Sequence, residues 1–134
     1  MPAKLSPAVR QLFQDPNFGF MATLMPDGSP QISVVWVDIE GDHILVNTAE
    51  GRRKPGNVRR DARVAIGLTS QQNPYAAAFV RGRVAEITRE GADAHIDRLA
   101  KKYLGQDTYP FRQPGEQRLI FRIEPLHVSS WGVE

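Results

Sequence analysis

Short runs of β-branched and aromatic residues, cut at close intervals by Pro, Gly, Asp and Asn, constrain this chain more than any other feature. The runs are Phe18 to Met25, Gln31 to Ile39, His43 to Ala49, Arg63 to Ser70, Ala76 to Thr88 and Gln117 to Ile123. Pro26-Asp27-Gly28-Ser29 separates the first two, and Glu40-Gly41-Asp42 the next two. Both strings carry turn residues in suitable positions. Turns this short join antiparallel neighbours, because parallel strands need a crossover of a dozen or more residues. Gly82 inside Ala76 to Thr88 reads as a bulge or bend. The tail HVSSWGVE extends the last run.

Three helices fit between the strands. Ser6-Pro7 reads as an N-cap with a first-turn Pro, and Asp15-Pro16 ends that helix. Lys54-Pro55 opens a second, from about Pro55 to Arg60. Arg89 to Leu104 forms the third, with Ile96, Leu99, Ala100, Tyr103 and Leu104 on one face and Gly105 at its C-cap. The expected fold is therefore mainly β (α+β), six antiparallel strands with flanking helices, closed as a barrel to avoid open edges. A chain of 134 residues reads as a single domain, 1–134. The absence of Cys excludes disulfides, thiol nucleophiles and Cys-based zinc sites. MPAKLSPAVRQ has no apolar signal core, and no run approaches the ~20 apolar residues of a membrane helix. The expected location is cytoplasmic, with no membrane partner.

Charge is concentrated in one window. Arg52 to Arg63 holds six of the seventeen Lys and Arg against one acid, Asp61, for a net +5, while the remaining residues total −3. A local basic cluster at a helix start points to an anion, since the helix N-terminus adds free N–H groups and partial positive charge. A solvated basic face reads as well from the residues alone.

Self-sufficient chemistry is absent from the motifs. His43, His95 and His127 lack metal-ligand spacing and read as surface or capping residues, so no metal site is expected. Asp93 and Asp97 lie one helical turn apart, and Asp97 with Lys101 reads as a solvated i,i+4 ion pair. Ser29, Ser33, Ser70, Ser129 and Ser130 have no Gly-x-Ser-x-Gly context, and no phosphate-loop glycine motif occurs. No catalytic residue is assigned, and an enzymatic role would need a cofactor. Trp36 and Tyr75 lie beside a turn or loop, where stacking on a planar ring and packing are both open. Phe79 and Trp131 read as core or interface. Nucleic acid is disfavoured as a partner, because no strand face interleaves aromatic and basic residues.

Several strings resemble the pyridoxamine 5'-phosphate oxidase-like split β-barrel family, and within it the F420-dependent flavin/deazaflavin oxidoreductases. They are FMATLMPDGSPQISVVWVD, HILVNTAEGRRKPGNVRRDARVAI, FVRGRVAEIT, GADAHIDRLAKKYLG and YPFRQPGEQRLIFRIEP, from about Phe20 to Pro125. The patterns ATLxPDGxPQxS and AExRxKxxNxRRDxR, in order, carry most of the signal. The resemblance implies a six-stranded split barrel, a homodimer, and a cofactor groove at the dimer interface. Arg52, Lys54 and Asn57, with Arg53 beside them, would hold a phosphate. The backbone at Asn47, Thr48 and Ala49 would flank the middle of the cofactor, and Val35 and Trp36 would approach its ring. Tyr75 and Ala76 would come from the other subunit. The implied cofactor is coenzyme F420, with FMN as the alternative. The implied reaction is hydride transfer from the reduced deazaflavin to a small electron-poor substrate, and a non-catalytic cofactor-binding protein is a further alternative.

Overall fold

The computed structural model of the chain describes residues 3–133. Its elements run α1 (Pro7–Gln14), β1 (Gly19–Leu24), β2 (Pro30–Val35), β3 (Val37–Glu40), β4 (His43–Ala49), α2 (Arg53–Arg60), β5 (Arg63–Thr69), β6 (Ala77–Thr88), α3 (Ala92–Leu104) and β7 (Arg118–Trp131). All strand pairs are antiparallel.

The seven strands form one sheet in the order β2-β1-β5-β6-β7-β4-β3. The two edge strands, β2 and β3, are consecutive in the chain with only Trp36 between them. One residue cannot span an open seven-stranded sheet, so the sheet curls until its edges meet at Trp36. The seam is joined by the chain rather than by a ladder, which makes a split barrel. This corrects the expectation of one strand over Gln31 to Ile39. β2 pairs with β1 as far as Val35 opposite Gly19, and β3 pairs with β4 from Val37 opposite Val46. The chain changes edges between these registers, and six expected strands become seven.

The barrel interior is filled from every strand, including Met21, Val35, Val37, Ile44, Val46, Ile66, Val80, Phe121 and Ile123. Val9, Leu12 and Phe13 of α1 join the same cluster. The Ser6 hydroxyl accepts the Val9 N–H at 3.2 Å, so the first helix starts and ends as expected. β4 is apolar on successive residues because both of its faces are covered. Ile44 and Val46 face the interior, while Leu45 packs with Ala92 and Ile120 under α3.

Two helix starts differ from expectation. α2 begins at Arg53, so Pro55 is its third residue; the N–H it lacks still has no intrahelical acceptor there. α3 begins at Ala92 rather than Arg89, because Gly91 turns left-handed at φ +75° and serves as its N-cap. Gly82 marks a register shift between β6 and β7, as expected, and a Cβ there would lie 2.3 Å from the Glu124 carbonyl oxygen.

Candidate anion and ring site at the barrel seam

A pocket of about 170 Å³ opens at the seam. Val34, Val35 and Trp36 form one side, Asn47 of β4 and Arg118 of β7 the floor, Arg52 and Lys54 the basic side, and Ile96, Tyr109 and Phe111 the rest. Five expected site residues, Val35, Trp36, Asn47, Arg52 and Lys54, are thus brought together although they span β2, β4 and α2.

Trp36 is fixed by α3. Its indole stacks on the Tyr103 ring at 5.2 Å and 7° from parallel, and meets Tyr109 edge-on at 6.0 Å. Tyr103 is anchored in turn: its hydroxyl donates to the Asn17 carbonyl at 2.7 Å and accepts the Val37 N–H at 3.0 Å. Burial pushes the Tyr103 hydroxyl up to about 12, so it stays protonated. The Lys102 ammonium donates to the Phe13 and Val37 carbonyls, each at 2.6 Å. Side chains of α3 therefore replace the missing ladder bonds where the chain changes edges.

The basic side is less populated than the sequence window. Arg59 makes two bonds to Glu50, Arg60 bonds the Leu24 carbonyl and the Asn57 side chain, and Arg63 pairs with Asp61. Arg53 lies against the Met25 sulfur. Arg52 and Lys54 alone of the window reach the pocket, and the third cation is Arg118, from the far end of the chain. Lys54 donates to the Ser33 hydroxyl at 3.2 Å. Burial, then the charges of Arg52 and Arg118, hold its ammonium below the ordinary lysine range. The α2 N-terminus beside it has no side-chain cap.

Arg118 is fixed on three sides. Its Nε donates to Asn47 Oδ1 at 2.8 Å, its guanidinium lies 5.1 Å over the Tyr109 ring, and Glu116 sits 3.2 Å from its Nη1. That last contact is misaligned, and among the described residues neither Nη1 nor Glu116 Oε1 has a hydrogen-bond partner. The Glu116 carboxylate also stands 3.8 Å from Arg52. A pocket lined by three cations, two of them backed by one carboxylate, is suited to an anionic ligand.

The remaining expected residues lie elsewhere. Asn57 is buried, and its amide donates to the Thr23 hydroxyl at 2.9 Å, tying α2 to β1. Thr48 and Ala49 are buried, and among the described residues the Thr48 hydroxyl has no partner. Ala76 is buried and Tyr75 is 79% exposed in the β5–β6 connection, and neither lines this pocket.

His95 departs from the expectation of a surface or capping histidine, being fully buried within α3. Asn47 donates its amide to the Ala92 carbonyl and to His95 Nδ1, and His95 Nε2 donates to Asp38 at 3.1 Å. At Asp38, burial opposes ionisation, but the His95 bond, the Ile39 N–H and nearby positive charge hold the carboxyl below its usual range. The chain Asp38–His95–Asn47–Arg118 fixes the pocket floor from behind. Asp97 also differs from its expected pairing with Lys101: it accepts from the Tyr109 N–H and from Arg112, fastening the α3–β7 loop so that Tyr109 and Phe111 face the pocket.

Opposite the barrel interior, β1, β2, β5, β6 and β7 present an apolar outer face. Phe20 stands opposite Val34 and Gly67, and Phe79 stands opposite Gly67 and Ser129. Phe20, Ile32, Val34, Phe79 and Trp131 are each at least 40% exposed. Among the described residues no helix is long and apolar enough to cross a membrane.

Residues 5–132 match the family model described as pyridoxamine 5'-phosphate oxidase. A solved structure named F420 reductase is 27% identical, with a TM-score of 0.81 over 93% of this chain and 98% of that one. A conserved hypothetical protein from Mycobacterium tuberculosis is 22% identical at TM-score 0.71, over 96% of this chain and 89% of that one. A putative pyridoxamine 5'-phosphate oxidase from Listeria innocua is 16% identical at TM-score 0.63, over 84% and 86%. The last two likenesses concern the fold alone.

Proposed function

The chain belongs to the pyridoxamine 5'-phosphate oxidase family, and from that premise we propose that it is a cytoplasmic, homodimeric F420-dependent oxidoreductase. The reading is of a reductase whose bound deazaflavin supplies a hydride to a small conjugated, electron-poor substrate. The observation that carries it is the seam pocket, in which Arg52, Lys54 and Arg118 stand beside Trp36 and Val35. The 27% identity to a protein named F420 reductase over 93% of this chain supports the same cofactor.

In this reading the protein's own groups bind and orient. Arg52, Lys54 and the uncapped N–H groups of α2 hold a phosphate, with Arg53 at the margin. Val35 and Trp36 border the ring, and the Tyr103 stack keeps the indole plane fixed. The backbone at Asn47, Thr48 and Ala49 runs beside the path between ring and phosphate. Asn57 serves that path indirectly, by holding α2 on β1. Val34 belongs both to the pocket and to the apolar outer face, so a second copy seated on that face would wall the pocket. That copy would bring its own Tyr75 and Ala76 to the ring. No residue of the chain is assigned the proton transfer.

The unpartnered buried atom Arg118 Nη1, with the three cations, suits a ligand bearing oxyanions. FMN offers a phosphate to the same residues and is the second reading, favoured by the family match over residues 5–132. Titration of the purified protein with F420 and, separately, with FMN distinguishes them through intrinsic Trp fluorescence. Micromolar affinity for F420 with weak FMN binding is expected. A preference for FMN would move the chemistry to a flavin, and binding of neither would remove the cofactor reading.

A further inference from the structure

We propose that the Glu116 carboxylate is a resident stand-in for a ligand anion, and that an anionic group binds at Arg52 and Arg118 by displacing it. This rests on the reading of the seam pocket as an anion site. It adds two residues, Arg118 and Glu116, that the basic window does not contain.

Four observations carry it. The Glu116 side chain is only 7% exposed, with one oxygen 3.8 Å from Arg52 and the other 3.2 Å from Arg118. It therefore occupies the space between two of the three pocket cations. Its contact with Arg118 is close but poorly aligned, leaving Arg118 Nη1 and Glu116 Oε1 buried without hydrogen-bond partners. Buried charged groups left in that state are costly, so an oxyanion aligned on Nη1 is favoured over the present arrangement.

Arg118 is also prepared to receive one. Its Nε bond to Asn47 and its position over the Tyr109 ring hold the guanidinium without help from Glu116. Finally, Glu116 sits on the connection that precedes the β7 ladder, directly after Gly115 at φ +73°, and its own N–H bonds the Gln113 carbonyl within that connection. Its side chain can leave without a strand pair breaking. With Glu116 in place, the pocket cations retain a net charge of +2, and with it displaced the ligand meets all three.

The alternative is a structural tie in which Glu116 orients Arg118 for whatever binds. The two make opposite predictions for Glu116→Gln, which keeps the shape and removes the charge. The probes are inorganic phosphate and pyrophosphate, followed through Trp36 fluorescence in a Trp131→Phe background, and then F420 and FMN. Displacement predicts that Glu116→Gln tightens pyrophosphate binding by roughly fivefold, the scale of one lost competing ion pair. Arg118→Lys should weaken it by about tenfold or more, as expected for a charged hydrogen bond lost.

Glu116→Ala gives a second test should the glutamine disturb the loop, and matching unfolding midpoints check both. Unchanged or weaker anion binding in both Glu116 variants would overturn the proposal while leaving F420 binding, and hence the cofactor reading, intact. Tighter pyrophosphate binding with no binding of F420 or FMN would uphold the proposal and remove the cofactor reading. Failure of the unsubstituted protein to bind any of the four probes would overturn both.

Discussion

Lys54 and Asn57 stand three positions apart on the same short helix, yet the structure gives them different work. Lys54 faces the pocket with Ser33 as its hydrogen-bond partner, while Asn57 is buried against Thr23. Lys54→Ala should weaken cofactor binding by about 1.5–3 kcal/mol, the scale of a charged hydrogen bond, with little change in unfolding midpoint. Asn57→Ala should do the reverse. It strands the Thr23 hydroxyl and should lower stability by roughly 1–3 kcal/mol in denaturant titration.

The depressed Lys54 ammonium adds a pH arm. Its folded pKa lies below the unfolded value, so across that interval the unfolded chain holds the proton more tightly. The contribution of Lys54 to stability therefore rises with pH there, while anion affinity falls as the charge is lost. Measuring anion affinity against pH for the unsubstituted protein and for Lys54→Arg checks this, since arginine keeps its charge and should flatten the alkaline decline.

At the scale of elements, the legible parts are those whose signals are local. The first helix cap, the Asp27-Gly28 turn, the β4 bounds and the Gly82 irregularity depend on neighbours in sequence, and they stand where expected. That Arg52 and Lys54 sit close together as a basic pair is legible for the same reason. Arg118 joins the pocket because β7 pairs with β4 across some seventy residues, and Tyr109 and Phe111 because Asp97 fastens their loop to α3, and no local string encodes either link. The break at Trp36 is hidden because β-branched residues flank it on both sides. His95 reads as a surface or capping residue because it is one polar position on an amphipathic helix, while its partners come from β3 and β4. The bulge offers a test of element packing: Gly82→Ala drives a methyl into the Glu124 carbonyl and should cost roughly 1–3 kcal/mol or more in thermal unfolding.

At the scale of the whole molecule, the outer sheet face gathers Phe20, Ile32, Val34, Phe79 and Trp131, each at least 40% exposed. Contiguous exposed apolar surface of this kind marks an association site. Phe20→Glu sits at its centre and is half exposed, so the fold should survive. In the proposed homodimer the change should weaken self-association by roughly 2 kcal/mol or more, read by sedimentation velocity. Loss of cofactor affinity should accompany it, because Val34 links that face to the pocket. A variant that stays dimeric would exclude this face as the interface.

The strand order also dictates a timetable. β4 reaches the rest of the sheet only through β7, so the β3–β4 hairpin stays an outlying flap until the last strand is delivered. Of the described elements, synthesis delivers β7 last, and with it Arg118. Until then the seam has one lip, and an anion approaching Arg52 and Lys54 meets no floor. A chain that stops before β7 keeps the basic segment but lacks Arg118, and in the proposed reading it should bind an anion more weakly than the chain that contains β7.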